Sequence, residues 1–204
     1  MGNYVSENDV KNYSRITYTD LGYSSDDDFV TFLSDLITQI EAVIDAYCGV
    51  PLGFFKAGGL TFTDERYDYD PELIQLKHYP ILNVTKVEYD KAGYGQSEDW
   101  EEISNTYYIL YSEEGLLKIV NKVPAIKERS IRVSYTAGYS SVPDAIKYVC
   151  IQLCSNYLHT VLQRKISPII RISEFTVQSV LPTIFTPELK KLLAHYVRRQ
   201  VTSG

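Results

Sequence analysis

The chain is short of the residues on which most enzyme chemistry depends. Its 204 residues include three histidines, His78, His159 and His195, scattered far apart. That excludes an H-E-x-x-H pair and leaves little from which to build a zinc site or a histidine general base. Three cysteines, Cys48, Cys150 and Cys154, do not make a disulfide framework. Cys150 and Cys154 stand four apart, as small buried apolar groups do on one helical face, and reduced thiols suit assembly in a cytosol. No apolar run approaches the roughly eighteen residues of a membrane span, so no membrane is expected. The opening MGNYVSENDV lacks the basic-then-apolar order of a secretory leader. Neither a G-x-x-x-x-G-K-[ST] phosphate loop nor a G-x-S-x-G elbow occurs. We therefore expect no catalytic residues, no metal and no cofactor; the chain reads as a non-enzyme.

What is present is tyrosine and unevenly placed charge. Eighteen tyrosines stand against one tryptophan and one methionine. Tyrosine suits strands, and its amphipathic ring is enriched where proteins meet. Residues 1–70 carry thirteen acids and four bases, a net of −9, whereas residues 145–204 carry two acids and eight bases, a net of +6. A chain so divided is suited to meeting different surfaces, or copies of itself, at its two ends.

Along the chain, Ser6-Glu7-Asn8-Asp9 predicts a capped short helix carrying Val10 and Tyr13, followed by a polar loop through Asp20-Leu21-Gly22. Asp26-Asp27-Asp28 puts negative charge where a helix dipole favours it. Phe29, Phe32, Leu33, Leu36, Ile37, Ile40, Val43, Ile44 and Tyr47 then recur at helical spacing up to Gly49. From Leu60 to Thr136 the pattern changes to strands, at Leu73–Leu76, Val84–Tyr89, Tyr107–Tyr111 and Leu116–Val120. The last two flank Ser112-Glu113-Glu114-Gly115, a hairpin loop. Asp90–Asp99 reads as a mobile projecting loop and Lys122–Arg129 as a second, basic one. Ile131, Val133 and Tyr135 alternate with Arg132, Ser134 and Thr136, which predicts a half-buried strand. It runs through a corner at Gly138 into a helix opened by Pro143, with Ile146, Val149, Cys150, Leu153, Tyr157, Leu158 and Val161 as its stripe. Glu174–Val180 suggests a short extended piece. Thr186-Pro187-Glu188 opens a last helix, with Leu189, Leu192, Leu193, Tyr196 and Val197 on one face and Lys190, Lys191, Arg198 and Arg199 on the other. The expected class is α+β: a small helical bundle of two long helices plus a C-terminal one, with a small antiparallel sheet and hairpin inserted.

These residues also resemble a family, the head–tail connector (adaptor) proteins of tailed bacteriophages and related viruses. Leu76–Val87 (LKHYPILNVTKV), Ile131–Tyr139 (IRVSYTAGY), Val142-Pro143 opening a helix, Ser173–Val180 (SEFTVQSV) and the terminal Leu189–Arg199 carry the likeness. It runs from Ser6 to Arg199, with extra residues in Gly53–Tyr69, Asp90–Asp99 and Lys122–Arg129. The resemblance implies an adaptor core over residues 1–165, with sheet 60–136 and helix 143–164, and a C-terminal extension 166–204 holding a docking helix over 187–200. It implies a structural protein of the virion neck, made in the host cytoplasm, that forms a ring with itself, typically of twelve copies. Such a ring joins the portal to a head-closure or tail-completion protein and extends the channel that double-stranded DNA passes through, without sequence-specific binding. Lys190, Lys191, Tyr196, Arg198 and Arg199 are then candidate partner-docking residues for an acidic surface; in similar proteins the C-terminal region reaches the portal. A nucleic-acid-binding module using that same basic helix is the alternative.

Overall fold

The computed structural model describes residues 4–92, 96–120, 128–166 and 184–198. They form an α+β fold of two compact units, one from residues 1–55 and 142–204, the other from 56–141.

The first unit is helical. Helix α1 (Glu7–Ser14) starts at the expected capping box: Ser6 Oγ accepts from Asp9 N, and the Asp9 carboxylate accepts from Ser6 N at 2.9 Å. The expected polar loop around Asp20 is in part a short helix, α2 (Tyr18–Leu21), because Thr17 and Asp20 make a second capping box there. Helix α3 (Asp26–Cys48) begins at Ser25, whose hydroxyl accepts from Asp28 N, and closes at Gly49 as predicted. Phe29, Leu33, Leu36, Ile37, Ile40 and Ile44 are fully or nearly fully buried. Helix α4 (Asp144–Ile166) follows Pro143, whose carbonyl accepts from Lys147 N at 3.1 Å. Ile146, Val149, Cys150, Leu153, Cys154 and Leu158 of α4 are fully buried, so both cysteines sit in the core with Cys48 as free thiols. α4 packs on α1 and α3 and on the last helix, α5 (Pro187–Leu193). That helix ends at Leu193, short of the expected 187–200.

Two acids on the buried side of α3 break its apolar stripe. Glu41 and Asp45 lie one turn apart, 4% and 1% exposed, and the N-terminal arm is pinned across them. Tyr4 N donates to Glu41 Oε1 at 2.7 Å, and Tyr4 Oη donates to Asp45 Oδ1 at 2.5 Å while accepting from Phe55 N. Asp45 Oδ2 takes Gly53 N at 2.7 Å. Burial pushes the Asp45 carboxyl up to about 6 and the Tyr4 hydroxyl well above its ordinary range.

The second unit is built from strands. Where one small sheet was expected there are two: a four-stranded sheet in the order β1-β7-β3-β4 and a three-stranded one in the order β2-β6-β5, antiparallel throughout. The first holds β1 (Leu60–Tyr67), β3 (Ile81–Asp90), β4 (Trp100–Glu102) and β7 (Ile131–Ala137). The second holds β2 (Ile74–Gln75), β5 (Tyr108–Tyr111) and β6 (Leu116–Ile119). β7 is central and shows the alternation read from the sequence, with Ile131, Val133, Tyr135 and Ala137 all fully buried. Burying side chains of this kind stabilises by roughly 1.5–3 kcal/mol each. Beyond it Gly138 takes φ of 127° and donates to Pro80 O, a backbone setting that a side chain disfavours. The loop Asp90–Asp99, of which residues 93–95 lie outside the described residues, is tied at its base. Asp90 Oδ1 accepts from both Ala92 N and Asp99 N, and Trp100–Glu102 follows as an unforeseen edge strand. The stretches 121–127 and 167–183, with the expected basic loop and the Glu174–Val180 piece, lie largely or wholly outside the described residues.

Candidate functional site

Three side-chain constellations concentrate polar groups, and the first resembles an acid–base site. Glu65, Tyr67, Tyr135 and His78 converge inside the sheet unit. Both tyrosine hydroxyls donate to Glu65 Oε2, at 2.5 and 2.7 Å, and lie 3.0 Å from each other. The same hydroxyls accept from Lys77 N and His78 N, so their bonding capacity is spent on holding the segment ahead of Pro80. His78 stacks on Phe62 at 4.1 Å and lies 3.7 Å from Glu65. Burial first, then the Glu65 bond, raises both tyrosine hydroxyls, which disfavours any role as proton donors near neutrality. The cluster ties β1 and β7 to the YPI segment.

A groove of about 540 Å3 lies beside α1 and α3, lined by Lys11, Arg15, Tyr18, Asp26 and Phe29 among others. Its lysine is already matched, with Lys11 Nζ 2.7 Å from Asp26. Among the described residues no three His, Cys, Asp or Glu side chains are grouped to hold a metal ion. No described helix is long and apolar enough to cross a membrane.

The C-terminal segment is the third, and it divides the five expected docking residues. Thr186 caps α5 and Pro187 occupies its first turn, as the sequence indicated. Leu189 and Leu193 are buried, and Phe185 packs edge-on against Tyr47 at 5.0 Å. After Leu193 the chain turns inward. Tyr196 packs on Phe55 at 5.6 Å, and Arg198 lays its guanidinium 4.5 Å from the Phe54 ring while its N–H donates to Cys48 O. Tyr196 and Arg198 thus hold the segment to its own unit. Lys190 and Lys191 are exposed, Lys190 leaning its ammonium over the Phe185 ring at 5.3 Å, and Leu192 beside them is 44% exposed. Arg199 lies outside the described residues.

A second candidate surface escaped the sequence reading. On the three-stranded sheet, Ile74, Leu110, Leu117 and Ile119 turn to the inner face. The outer face carries Ile109 and Tyr111, 46% and 44% exposed, and Leu73 and Tyr107 at the strand ends beside it are 41% and 39% exposed. The signal lay in Tyr107–Tyr111, which is apolar at every position; a strand with one wet face would alternate.

Comparisons with known proteins agree with this fold. The family model for head completion proteins (HCP) matches residues 3–165. A chain from the neck of an empty GTA particle, computed with C6 symmetry, superposes with a TM-score of 0.50 at 16% identity, covering 97% of this chain and 91% of that one. A chain from the neck of the native GTA particle, computed with C12 symmetry, gives 0.50 at 14% identity, covering 100% and 98%. A search of curated proteins returns no match. With the family model spanning helices α1 to α4 and both sheets, the chain belongs to the head completion protein family of head–tail connectors.

Proposed function

We propose that this protein is a structural component of the virion neck, one copy of a ring that joins the portal to the head-closure or tail-completion protein and lengthens the DNA channel. The observation that carries the reading is the family match over residues 3–165. The whole-chain likeness to neck chains, one from a reconstruction with C12 symmetry, favours a ring of twelve. Its role is mechanical, not catalytic. A net charge of −6 suits a channel wall past which phosphates slide, because like charge keeps DNA from adhering.

The C-terminal extension 166–204 serves docking. Lys190 and Lys191 present charge outward, Tyr196 and Arg198 anchor the segment that carries them, and Arg199, outside the described residues, completes the docking set we propose. Two outward lysines on a seven-residue helix are a small footprint for phosphate contact, which disfavours the nucleic-acid reading. The test is co-purification of the intact chain with its portal. A stoichiometric complex, with no DNA retention at low salt, is expected. Failure to bind the portal, combined with DNA affinity that falls steeply with salt, would overturn the reading in favour of a nucleic-acid module.

A further inference from the structure

The outer face of the three-stranded sheet leaves Ile109 and Tyr111 exposed side by side on β5, with Leu73 and Tyr107 exposed at the strand ends. Register places its residues in rows: Ile109 opposite Lys118 and Tyr111 opposite Leu116, with Gln75 next to Leu116 on the far strand. Leu73, just ahead of β2, and Tyr107, which ends the 3-10 turn Asn105–Tyr107 ahead of β5, are exposed beside it. The hairpin that closes this face turns at Gly115, φ 66°, where a Cβ would sit 2.6 Å from Tyr79 Cβ, so its position is fixed rather than adaptable. Around the apolar residues stand exposed acids, Glu72 at the β2 end and Glu113 and Glu114 in the hairpin loop. Lys118 is the one base within the face.

An acid-rimmed apolar face does not fit a copy of itself, since a two-fold contact would bring like charges together. The complementary chemistry is an exposed apolar residue flanked by cations, and the chain carries that arrangement in Lys190-Lys191-Leu192 on α5. The sizes also agree. Three strands about 4.8 Å apart give a face roughly 14 Å across, and a seven-residue helix is about 10 Å long.

We propose that the outer β2-β6-β5 face of one copy receives α5 of a second copy, with Leu192 against Leu73 and Ile109 and the two lysines against Glu72, Glu113 and Glu114. The contact is heterologous, so it repeats from copy to copy and closes where the rotation allows. It rests on the ring reading above and names the partner of the docking lysines.

The test is engineered disulfide formation in the full chain, where all three native thiols are buried and silent. Ile109→Cys combined with Leu192→Cys, oxidised in concentrated protein or in assembled necks, is expected to give a covalent ladder beyond the dimer. Each single variant is expected to give no ladder. In parallel, Glu113→Lys/Glu114→Lys and Lys190→Glu/Lys191→Glu should each reduce self-association more than tenfold, and their combination should restore it to within about threefold. Unchanged circular dichroism and melting show that the variants fold. Rings or necks that form normally with the reversed charges, and no ladder from the double cysteine variant, overturn the surface assignment and leave the ring reading standing. A wild type that neither self-associates nor enters necks overturns both.

Discussion

The two sheets of the β-rich unit finish their outer faces in opposite ways. On the four-stranded sheet, Arg66, Arg132, Glu88 and Glu102 stand in one row across β1, β7, β3 and β4. Two arginines side by side would repel, but acids and the single tryptophan compensate them. Arg132 Nε lies 2.7 Å from Glu88, and Arg66 makes two bonds to Glu98 at 2.6 and 3.0 Å. Both guanidiniums lean on Trp100, at 4.4 and 5.4 Å, and the Trp100 indole N–H donates to Glu98. Bonding to Arg132 in the first place holds the Glu88 carboxyl below its usual range. That face is complete within the chain. On the three-stranded sheet the outer face sets Ile109, Tyr111 and Leu116 beside Lys118 and Gln75, with no such cover among the described residues. One face is finished by its own side chains; the other, on our account, is finished by another molecule.

The sharpest way to test this contrast is to remove the support from the closed face. Arg132→Met leaves Glu88, 5% exposed, with only the Lys86 ammonium at 2.7 Å. A loss of about 2 kcal/mol in urea unfolding is expected, below the full cost of an abandoned buried charge because Lys86 remains. Tyr135→Phe removes one donor to Glu65 and the acceptor for His78 N, and should cost about 1 kcal/mol by the same measurement. Ile109→Asp on the open face should change stability by less than about 0.5 kcal/mol while self-association is lost. If Ile109→Asp destabilises as much as Arg132→Met, the open face is internal after all.

The helical unit adds a third setting for acids, burial without a neighbouring cation among the bonds that hold Asp45. Its carboxyl titrates near 6 in the folded protein against 3.8 when unperturbed, so between those values the native state binds more protons than the unfolded chain. Stability from this group is present at low pH and lost as pH rises through about 6. The shift corresponds to at most about 3 kcal/mol. Asp45→Asn is therefore expected to flatten the fall in melting temperature between pH 4 and pH 7. An unchanged pH profile would show that Asp45 ionises freely.

Periodicity made the helices and the hub strand legible. α3 and α4 follow stripes of apolar residues, and β7 alternates residue by residue, since each buries one face against the core. β1 was hidden because LTFTDERY is polar at most positions and carries a bulge, with Asp64 in the left-handed region at φ 54°. β4 is three residues long, too short for any period to register. Nothing in the stripe of α3 marked Glu41 and Asp45 as buried, because Tyr4, which satisfies them, lies 37 and 41 residues away in sequence. The expected docking residues were legible as charge but not as direction. Where Arg198 points is decided by Phe54 and the Cys48 carbonyl, neither of which is near it in sequence.

The measurement closest to the central claim is a cryo-EM reconstruction of the neck of particles containing this protein. The expected result is a ring of this chain between portal and tail, with Lys190–Leu192 of each copy on the Leu73, Ile109 and Tyr111 face of the next. A neck that lacks the chain, or holds it as isolated copies with that sheet face bare, would contradict it.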